Sequence, residues 1–268
     1  MKSFLTTAKT LTTIVAFTAI VITSCKKEGD YETPSPKPTI TSDVIAAVGD
    51  SAAITAKLAE FKTLAGATLN TAPGATGGRR EVNWDAVPAN FTNSNNFPFD
   101  FFGGFDNALP NGRKRGLILT NTGTSFRVDS TDFAEIDPSY ADQFEAFSRK
   151  RLFTYLGNNI TEVTFNVPGT NTPAYTNAFG VIFSDVDIAS STTIEYFNDS
   201  KSLGIFKAAT APQGFTLLGV SFPYEKITRV KITSGNGLLK TGVKDITNGG
   251  DKDLVVMDDF IYGEPKAL

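Results

Sequence analysis

The chain has 268 residues, a formal net charge of −3 at neutral pH, one cysteine and no histidine. The lack of histidine excludes His-assisted serine or cysteine nucleophiles, histidine zinc sites and imidazole proton shuttles. The single cysteine excludes an internal disulfide, and the acidic balance argues against nucleic acid as a partner.

The first residues have the pattern of a secretion signal. Lys2 and Lys9 are the only charges before an apolar stretch, Leu11 to Ile22, which is shorter than the roughly twenty residues that a membrane-spanning helix needs. The run VITSC follows and resembles the lipobox of bacterial lipoproteins. That resemblance implies that residues 1–24 are removed and that Cys25 is lipidated. An ordinary signal peptide that happens to contain a cysteine is the alternative.

Residues 25–41 predict a lipidated cysteine followed by a proline-rich spacer. Removing the signal leaves 23 basic and 28 acidic side chains, a net charge of −5. Three alternating prolines between positions 34 and 38 favour an extended chain, and the run KKEGD after Cys25 is similar to the export tag of surface lipoproteins in Bacteroidota. We therefore expect a protein anchored to the outer membrane or cell envelope through Cys25, on its surface or its periplasmic side.

Residues 42–76 predict a short helix and a connection. Asp50 or Ser51 can cap the N-terminus, and Gly66 favours an end. The apolar stripe of this helix consists of Ile54, Leu58, Phe61 and Leu64. Because the stripe is narrow, we expect the helix to pack as one unit with the domain formed by residues 77–268.

A long irregular region follows the helix. Gly77 to Ala89 and Asn93 to Gly116 are rich in Asn, Gly, Pro and Phe, which is typical of loops with aromatic anchors. Packing, rather than disorder, is predicted for its phenylalanines because disordered segments contain few aromatic residues; they are Phe97, Phe99, Phe101, Phe102 and Phe105. A short helix is predicted from Tyr140 to Arg149.

Short apolar runs separated by turn sequences predict most of the remaining chain as strands. The predicted strands are 116–120, 125–129, 161–167, 179–184, 193–197, 203–207, 217–222, 228–233 and 254–262. Their spacing predicts a mostly β fold, an antiparallel β-sandwich of jelly-roll type with a short N-terminal helix and a long aromatic-rich loop region.

Four sequence elements carry a family resemblance: GRREVNWD (Gly78 to Asp85), FGVIFSDVD (Phe179 to Asp187), ITSGNG (Ile232 to Gly237) and VVMDDFIYGE (Val255 to Glu264). On these the chain resembles a group of exported, uncharacterised bacterial β-sandwich proteins. Its strands also look like those of surface proteins of the PEP-CTERM class and of galactose-binding-like jelly rolls, although it lacks the C-terminal sorting signal of the PEP-CTERM class. The resemblance implies the fold and export, and it implies little about chemistry.

Aspartates in and beside the strands are the first candidate site. They could form a structural Ca²⁺ site, because hard cations take six to eight oxygen ligands; the candidates are Asp185, Asp187, Asp251, Asp253, Asp258 and Asp259. Turn capping or pairing with Arg127, Arg151 or Arg229 is the alternative. Strict alternation along the last strand predicts that Asp258 and Asp259 face opposite ways, so that one of them points into the core.

Aromatic side chains are the second candidate site. Sugar rings stack on such groups, and the candidates are Trp84, Tyr155, Tyr175 and Tyr196. Core packing is the alternative, for Trp84 as an arginine-stacked cluster with Arg79, Arg80 and Asp85.

The sequence therefore predicts a non-catalytic envelope lipoprotein that acts as a binding or structural module, with glycan as its ligand and structural Ca²⁺ as its cofactor. A hydrolase or lyase that acts on polysaccharide through two carboxylates is one alternative. A purely structural adhesin is the other.

Overall fold

The computed structural model describes residues 39–120 and 125–268. The predicted signal peptide, Cys25 and nearly all of the proline-rich spacer lie outside these ranges. Thr39–Leu268 forms one compact unit. Within the described ranges, no helix has the length and apolar character needed to cross a membrane.

Two antiparallel sheets of seven strands each make up the unit, and the predicted β-sandwich architecture is confirmed. In chain order the strands and the helix are β1 (Asp43–Gly49), α1 (Ser51–Ala65), β2 (Arg79–Val82), β3 (Leu117–Leu119), β4 (Phe126–Asp129), β5 (Leu152–Tyr155), β6 (Ile160–Asn166), β7 (Pro173–Tyr175), β8 (Ala178–Val186), β9 (Thr193–Asn198), β10 (Lys201–Lys207), β11 (Ala211–Ser221), β12 (Arg229–Thr233), β13 (Val256–Gly263) and β14 (Lys266–Ala267). Short 3₁₀ turns occupy Ala89–Phe91, Asn111–Arg113, Pro138–Asp142 and Ile246–Asn248.

The first sheet has the order β1-β11-β8-β13-β5-β4, with β2 paired to β13. The second has the order β10-β9-β12-β6-β7-β14, with β3 paired to β6. Between them lies the main core, which draws aromatic and aliphatic side chains from both sheets, among them Phe179, Tyr196, Val230, Phe260 and Tyr262. This inter-sheet layer is the apolar burial that sequence alternation predicts for a sandwich.

Helix α1 covers the outer face of the first sheet. Asp50 caps it by accepting a hydrogen bond from the Ala53 backbone N–H at 2.9 Å, and it ends before Gly66. Ile54, Leu58 and Phe61 pack against side chains of β8, β11 and β13 in a second apolar cluster. The predicted helix, its stripe and its position against the sandwich are confirmed.

Strand β13 contains a β-bulge that the sequence analysis did not anticipate. Met257 pairs with Phe183 and Phe260 pairs with Val181, so Asp258 and Asp259 together oppose the single residue Ile182. The extra residue shifts the alternation by one position. Met257 and Phe260 both contribute to the inter-sheet core, and the two aspartates lie on the other face.

Other local predictions also need correction. Residues 140–149 do not form the predicted helix; the segment contains only the end of the 3₁₀ turn Pro138–Asp142. Five strands were not predicted: β1, β2, β5, β7 and β14. In the aromatic loop region Phe97, Phe101 and Phe102 are buried as predicted, whereas Phe99 and Phe105 are more than half exposed.

Candidate metal site and surface cavities

A cluster of acidic side chains lies where the end of β8 meets the loop before β13. Asp185 belongs to β8, Asp187 directly follows it, and Asp245 comes from the 240–255 segment. One carboxylate oxygen from each of the three lies within 4.8 Å of the others. Asp185 and Asp245 are 0% and 1% exposed and Asp187 is partly exposed, so the cluster lies at the edge of the protein interior.

The local backbone fixes two of these carboxylates through hydrogen bonds. Asp185 has a left-handed φ of 68° and accepts from the Gln213 backbone N–H at 2.7 Å and from the Gln143 side-chain amide. Asp245 caps the turn Ile246–Asn248 through the Thr247 N–H at 2.8 Å, and its other oxygen accepts from the Leu254 N–H at 2.8 Å.

The carboxylate of Asp187 differs from the other two because both of its oxygens are buried and neither accepts a hydrogen bond. Burial, a hydrogen bond between the Asp187 and Asp245 carboxyl groups, and the charges of Asp185, Asp245 and Asp253 together raise the pKa of Asp187 to about 8. Burial also raises the pKa of Asp185 to about 6. Within the described part of the chain, no lysine or arginine forms an ion pair with any of these aspartates.

Asp253 borders the cluster but is already saturated. Its carboxylate accepts from the backbone N–H groups of Asp187 and Ile188, at 3.1 Å each, and from the Ser191 hydroxyl. Asp251 lies apart from the cluster, because its side chain is 86% exposed beside Lys252 at 3.4 Å. Of the predicted metal ligands, the structure thus brings together Asp185 and Asp187, with Asp253 beside them.

Asp245 is the candidate ligand that the sequence did not predict. It stands in the run VKDITNGGDKD, eight residues before Asp253, and the only local signal was the Asp-x-Thr pattern of a turn cap. The predicted ion-pair alternatives are also wrong for this cluster. Arg127 pairs with Asp129 and Glu135, Arg229 pairs with Glu162, and Arg151 donates to the Val87 carbonyl.

Asp258 and Asp259 form a separate acidic pair at the β13 bulge. The Ser148 hydroxyl lies 2.8 Å from an oxygen of Asp258 and 2.6 Å from one of Asp259. Asp258 also accepts from the backbone N–H groups of Phe147 and Ser148, at 2.7 and 3.1 Å. The prediction that the two side chains face opposite ways is therefore wrong, because the bulge places both under the 147–148 segment.

This pair is closed to solvent. Asp258 is 0% and Asp259 4% exposed. Burial raises the pKa of both groups, and the charge of Asp259 raises that of Asp258 further. Two carboxyl groups this close share a proton readily, but in this conformation a polysaccharide has no path to them.

Three of the four predicted sugar-stacking side chains belong to the core. Tyr155 is 7% exposed, and Tyr196 is 0% exposed with its hydroxyl donating to the Phe179 carbonyl at 2.9 Å. Trp84 is 1% exposed; it stacks on Phe153 with ring centroids 4.1 Å apart. Aromatic packing therefore replaces the predicted arginine-stacked cluster around Trp84.

Tyr175 lines a cavity at the surface that also contains the exposed Tyr224. The cavity has a volume of about 320 Å³ and is lined by Tyr175, Thr176, Asn177, Pro223, Tyr224, Glu225, Lys226, Glu264 and Lys266. Tyr224 is 86% exposed, and the Lys226 ammonium lies 4.5 Å from the Tyr175 ring centroid. The lining thus combines two aromatic rings with amide, carboxylate and ammonium groups.

The wall of this cavity rests on a buried ion pair. Glu264 accepts from Arg80 through both oxygens, at 2.8 and 2.7 Å, and from the Asn70 amide at 2.8 Å. The side chains of Arg80 and Glu264 are 0% and 1% exposed, which makes the pair a fixed support rather than a ligand group.

Comparisons with models of known protein families, with curated proteins and with solved structures found no match to this chain.

Proposed function

We propose that the protein is a non-catalytic binding module of the cell envelope, anchored to the membrane through a lipid on Cys25 and stabilised by one Ca²⁺ ion bound to Asp185, Asp187 and Asp245. Glycan is the proposed ligand of the module. The observation that carries the metal assignment is the Asp187 carboxylate, whose two oxygens are buried without a hydrogen-bond donor.

Electrostatics supports a bound cation. Two like charges about 4 Å apart repel by roughly 4 kcal/mol at the effective dielectric constant found near protein surfaces. Three carboxylates approach within 4.8 Å of one another, and no basic side chain of the described residues offsets them. A divalent cation would remove this repulsion and coordinate the Asp187 carboxylate, to which no group donates a hydrogen bond.

The donor set favours calcium. The three candidate side chains offer carboxylate oxygens, and the chain has no histidine, whereas zinc sites are built largely from nitrogen and sulfur. Oxygens that lie no more than 4.8 Å apart can share one Ca²⁺, because ligands on opposite sides of that ion are roughly 4.6–5.2 Å apart.

Such an ion would connect parts of the chain that are distant in sequence. Asp185 and Asp187 mark the end of β8, Asp245 belongs to the loop before β13, and Gln143 reaches Asp185 from the 138–144 segment. Asp185 and Asp245 are 0% and 1% exposed, which favours an ion held within the fold over one that meets a substrate. The role is therefore structural: it fixes one end of the sandwich.

The glycan assignment rests on the cavity between Tyr175 and Tyr224. Aromatic rings offer stacking surfaces for sugars, and Asn177, Glu225 and Lys226 offer hydrogen bonds to hydroxyl groups. The nearly complete exposure of Tyr224 has no packing explanation, because its ring is available to solvent rather than to the core.

Calorimetric titration of CaCl₂ into the chelator-treated protein tests the metal site. We expect one bound ion in the wild type and loss of binding in Asp187→Asn. Asp251→Asn is the matched control, since that side chain lies nearby in sequence but is 86% exposed, and it should bind as the wild type does. Absence of binding heat and of any thermal shift with millimolar CaCl₂ in the wild type would exclude the site.

A glycan array probed with the wild type and with Tyr224→Ala tests the ligand separately. Ile205→Ala is the control, because it removes an exposed apolar side chain from β10, outside the cavity. Binding that is lost only in Tyr224→Ala supports the proposal. Equal glycan binding by all three proteins would place the sugar elsewhere, and no binding by the wild type would argue for a structural adhesin.

A further inference from the structure

A second cavity, unrelated to the acidic cluster and to the tyrosines, opens beside β2. It has a volume of about 260 Å³ and lies between the 82–88 segment and the 101–115 loop. Trp84, Phe101 and Phe102 form its apolar wall, and Pro88 and Pro110 lie at the surface around it. Its lining is mostly apolar, in contrast to the tyrosine cavity.

Two arginines provide the only charged groups in the lining of this cavity. The Arg113 guanidinium lies over the Phe101 ring, 4.2 Å from its centroid, and its Nε donates to the Phe101 carbonyl at 3.2 Å. The Nε of Arg115 donates to the Gly112 carbonyl at 3.1 Å, and another nitrogen of that guanidinium donates to the Glu81 carbonyl. All these acceptors are neutral backbone groups.

The positive charge of the two arginines is therefore not neutralised locally. In the described parts of the chain, neither Arg113 nor Arg115 has a carboxylate within ion-pair distance. The side chain of Glu81, the nearest acid in the Arg115 contacts, pairs instead with Lys62 at 2.9 Å and Arg79 at 2.7 Å. Two cations beside an apolar cavity are complementary to an anion that carries an apolar body.

We propose that this cavity binds a small amphiphilic carboxylate, with the carboxylate at Arg113 and Arg115 and the hydrocarbon against Trp84, Phe101 and Phe102. The volume sets the size of the ligand. At about 30 Å³ for each water-sized group, 260 Å³ holds roughly eight or nine such groups, which is close to the ten non-hydrogen atoms of octanoate. Guanidinium groups bind carboxylates through paired hydrogen bonds.

Titration of octanoate, followed by intrinsic tryptophan fluorescence, tests this proposal. Trp84 is the only tryptophan in the chain. It is 1% exposed and borders the cavity, so a change in its emission follows occupancy of the adjoining space. We expect a saturable change with octanoate and at least about tenfold weaker binding of 1-octanol, because the neutral alcohol loses the charge-assisted hydrogen bonds.

Substitutions then locate the anion. Arg113→Gln should weaken octanoate binding about tenfold or more while leaving 1-octanol binding unchanged. Lys207→Gln, an exposed charge on β10, is the control and should bind octanoate as the wild type does. Arg115 also donates a hydrogen bond to the Glu81 backbone carbonyl. We therefore replace it by lysine, which keeps the positive charge, and verify folding by circular dichroism.

The proposal would be overturned by the absence of a saturable fluorescence change with octanoate, by equal affinity for octanoate and 1-octanol, or by unchanged octanoate affinity in Arg113→Gln. Binding that Lys207→Gln weakens as much as Arg113→Gln would also overturn it, since that result reflects net charge rather than a site.

Discussion

Replacing Asp185 by Asn should stabilise the protein when no cation is bound and leave it less stable than the wild type in calcium. Asp185 is fully buried, and burial raises its pKa to about 6 from an ordinary value of 3.8. Asn is nearly isosteric and tolerates the left-handed φ of 68° at this position. Its oxygen can still accept from the Gln213 N–H.

The pKa shift gives the magnitude. A difference of about two units, at about 1.4 kcal/mol per unit, sets an upper limit of about 3 kcal/mol on the free energy that the buried charge costs the folded state near neutral pH. Loss of an acceptor for Gln143 reduces this gain, so we expect about 1–2 kcal/mol of stabilisation in chelator. Calcium at about one hundred times its dissociation constant stabilises the wild type by about 2.7 kcal/mol, which reverses the order.

The sign of the pH dependence follows from the same groups. The folded-state pKa values of Asp185 and Asp187 are raised to about 6 and about 8, so without a cation the folded state binds more protons than the unfolded state. The contribution of these two aspartates to stability should therefore be greatest below about pH 4 and should fall as the pH rises towards about 8. Calcium should flatten that decline.

Urea denaturation in EGTA and in calcium, followed by circular dichroism, measures both effects, with Asp251→Asn as the control that should behave as the wild type in each buffer. The reasoning would be refuted if Asp185→Asn were the less stable protein in EGTA. The second test compares the wild type with the double variant Asp185→Asn, Asp187→Asn in EGTA. The reasoning would also be refuted if the free energy of unfolding of the wild type, minus that of the double variant, rose between about pH 4 and 8.

Three further predictions concern other parts of the chain. Cys25→Ser should move the protein from the membrane fraction to the soluble fraction; unchanged fractionation would refute lipidation. Asp258→Ala should destabilise by about 1–3 kcal/mol, because the buried N–H groups of Phe147 and Ser148 lose their acceptor, whereas Asp258→Asn keeps an acceptor and should cost less; equal losses in urea denaturation would contradict this. Glu264→Ala should cost about 3–5 kcal/mol by leaving Arg80 buried without its partner, against less than about 1 kcal/mol for Glu60→Ala in the exposed Lys57–Glu60 pair; similar thermal shifts for both would show that burial does not matter here.

Periodicity was sufficient to predict the sandwich and its helix. The strands of the second half have apolar runs bounded by turn residues, and α1 has a stripe that matches a 3.6-residue period. Both signals are local. Strand β2 has no such signal, because three of the four residues in its sequence RREV are charged. Arg80 is buried in it because it pairs with Glu264, 184 residues away.

The candidate sites depended on information that no local pattern contains. Asp185 and Asp187 are close in sequence, but their partner Asp245 lies on a different segment of the chain and is brought to them by the fold. The predicted faces of Asp258 and Asp259 assumed strict alternation along the strand, and alternation does not reveal the extra residue of a β-bulge. Trp84 was placed beside arginines that are its neighbours in sequence, whereas its neighbours in space are aromatic.

Because of the bulge in β13, a mutation can remove one of the paired aspartates without changing which residues face the core. If Asp259 were deleted, regular alternation would keep Val255, Met257, Phe260 and Tyr262 on the inner face that they already occupy and Asp258 on the outer one. The sandwich therefore does not need the additional residue for its own packing. Deletion of the Asp259 codon would remove the second carboxylate and leave each remaining side chain of the strand on its present face. Any selective advantage of the paired acids is therefore independent of what folding requires.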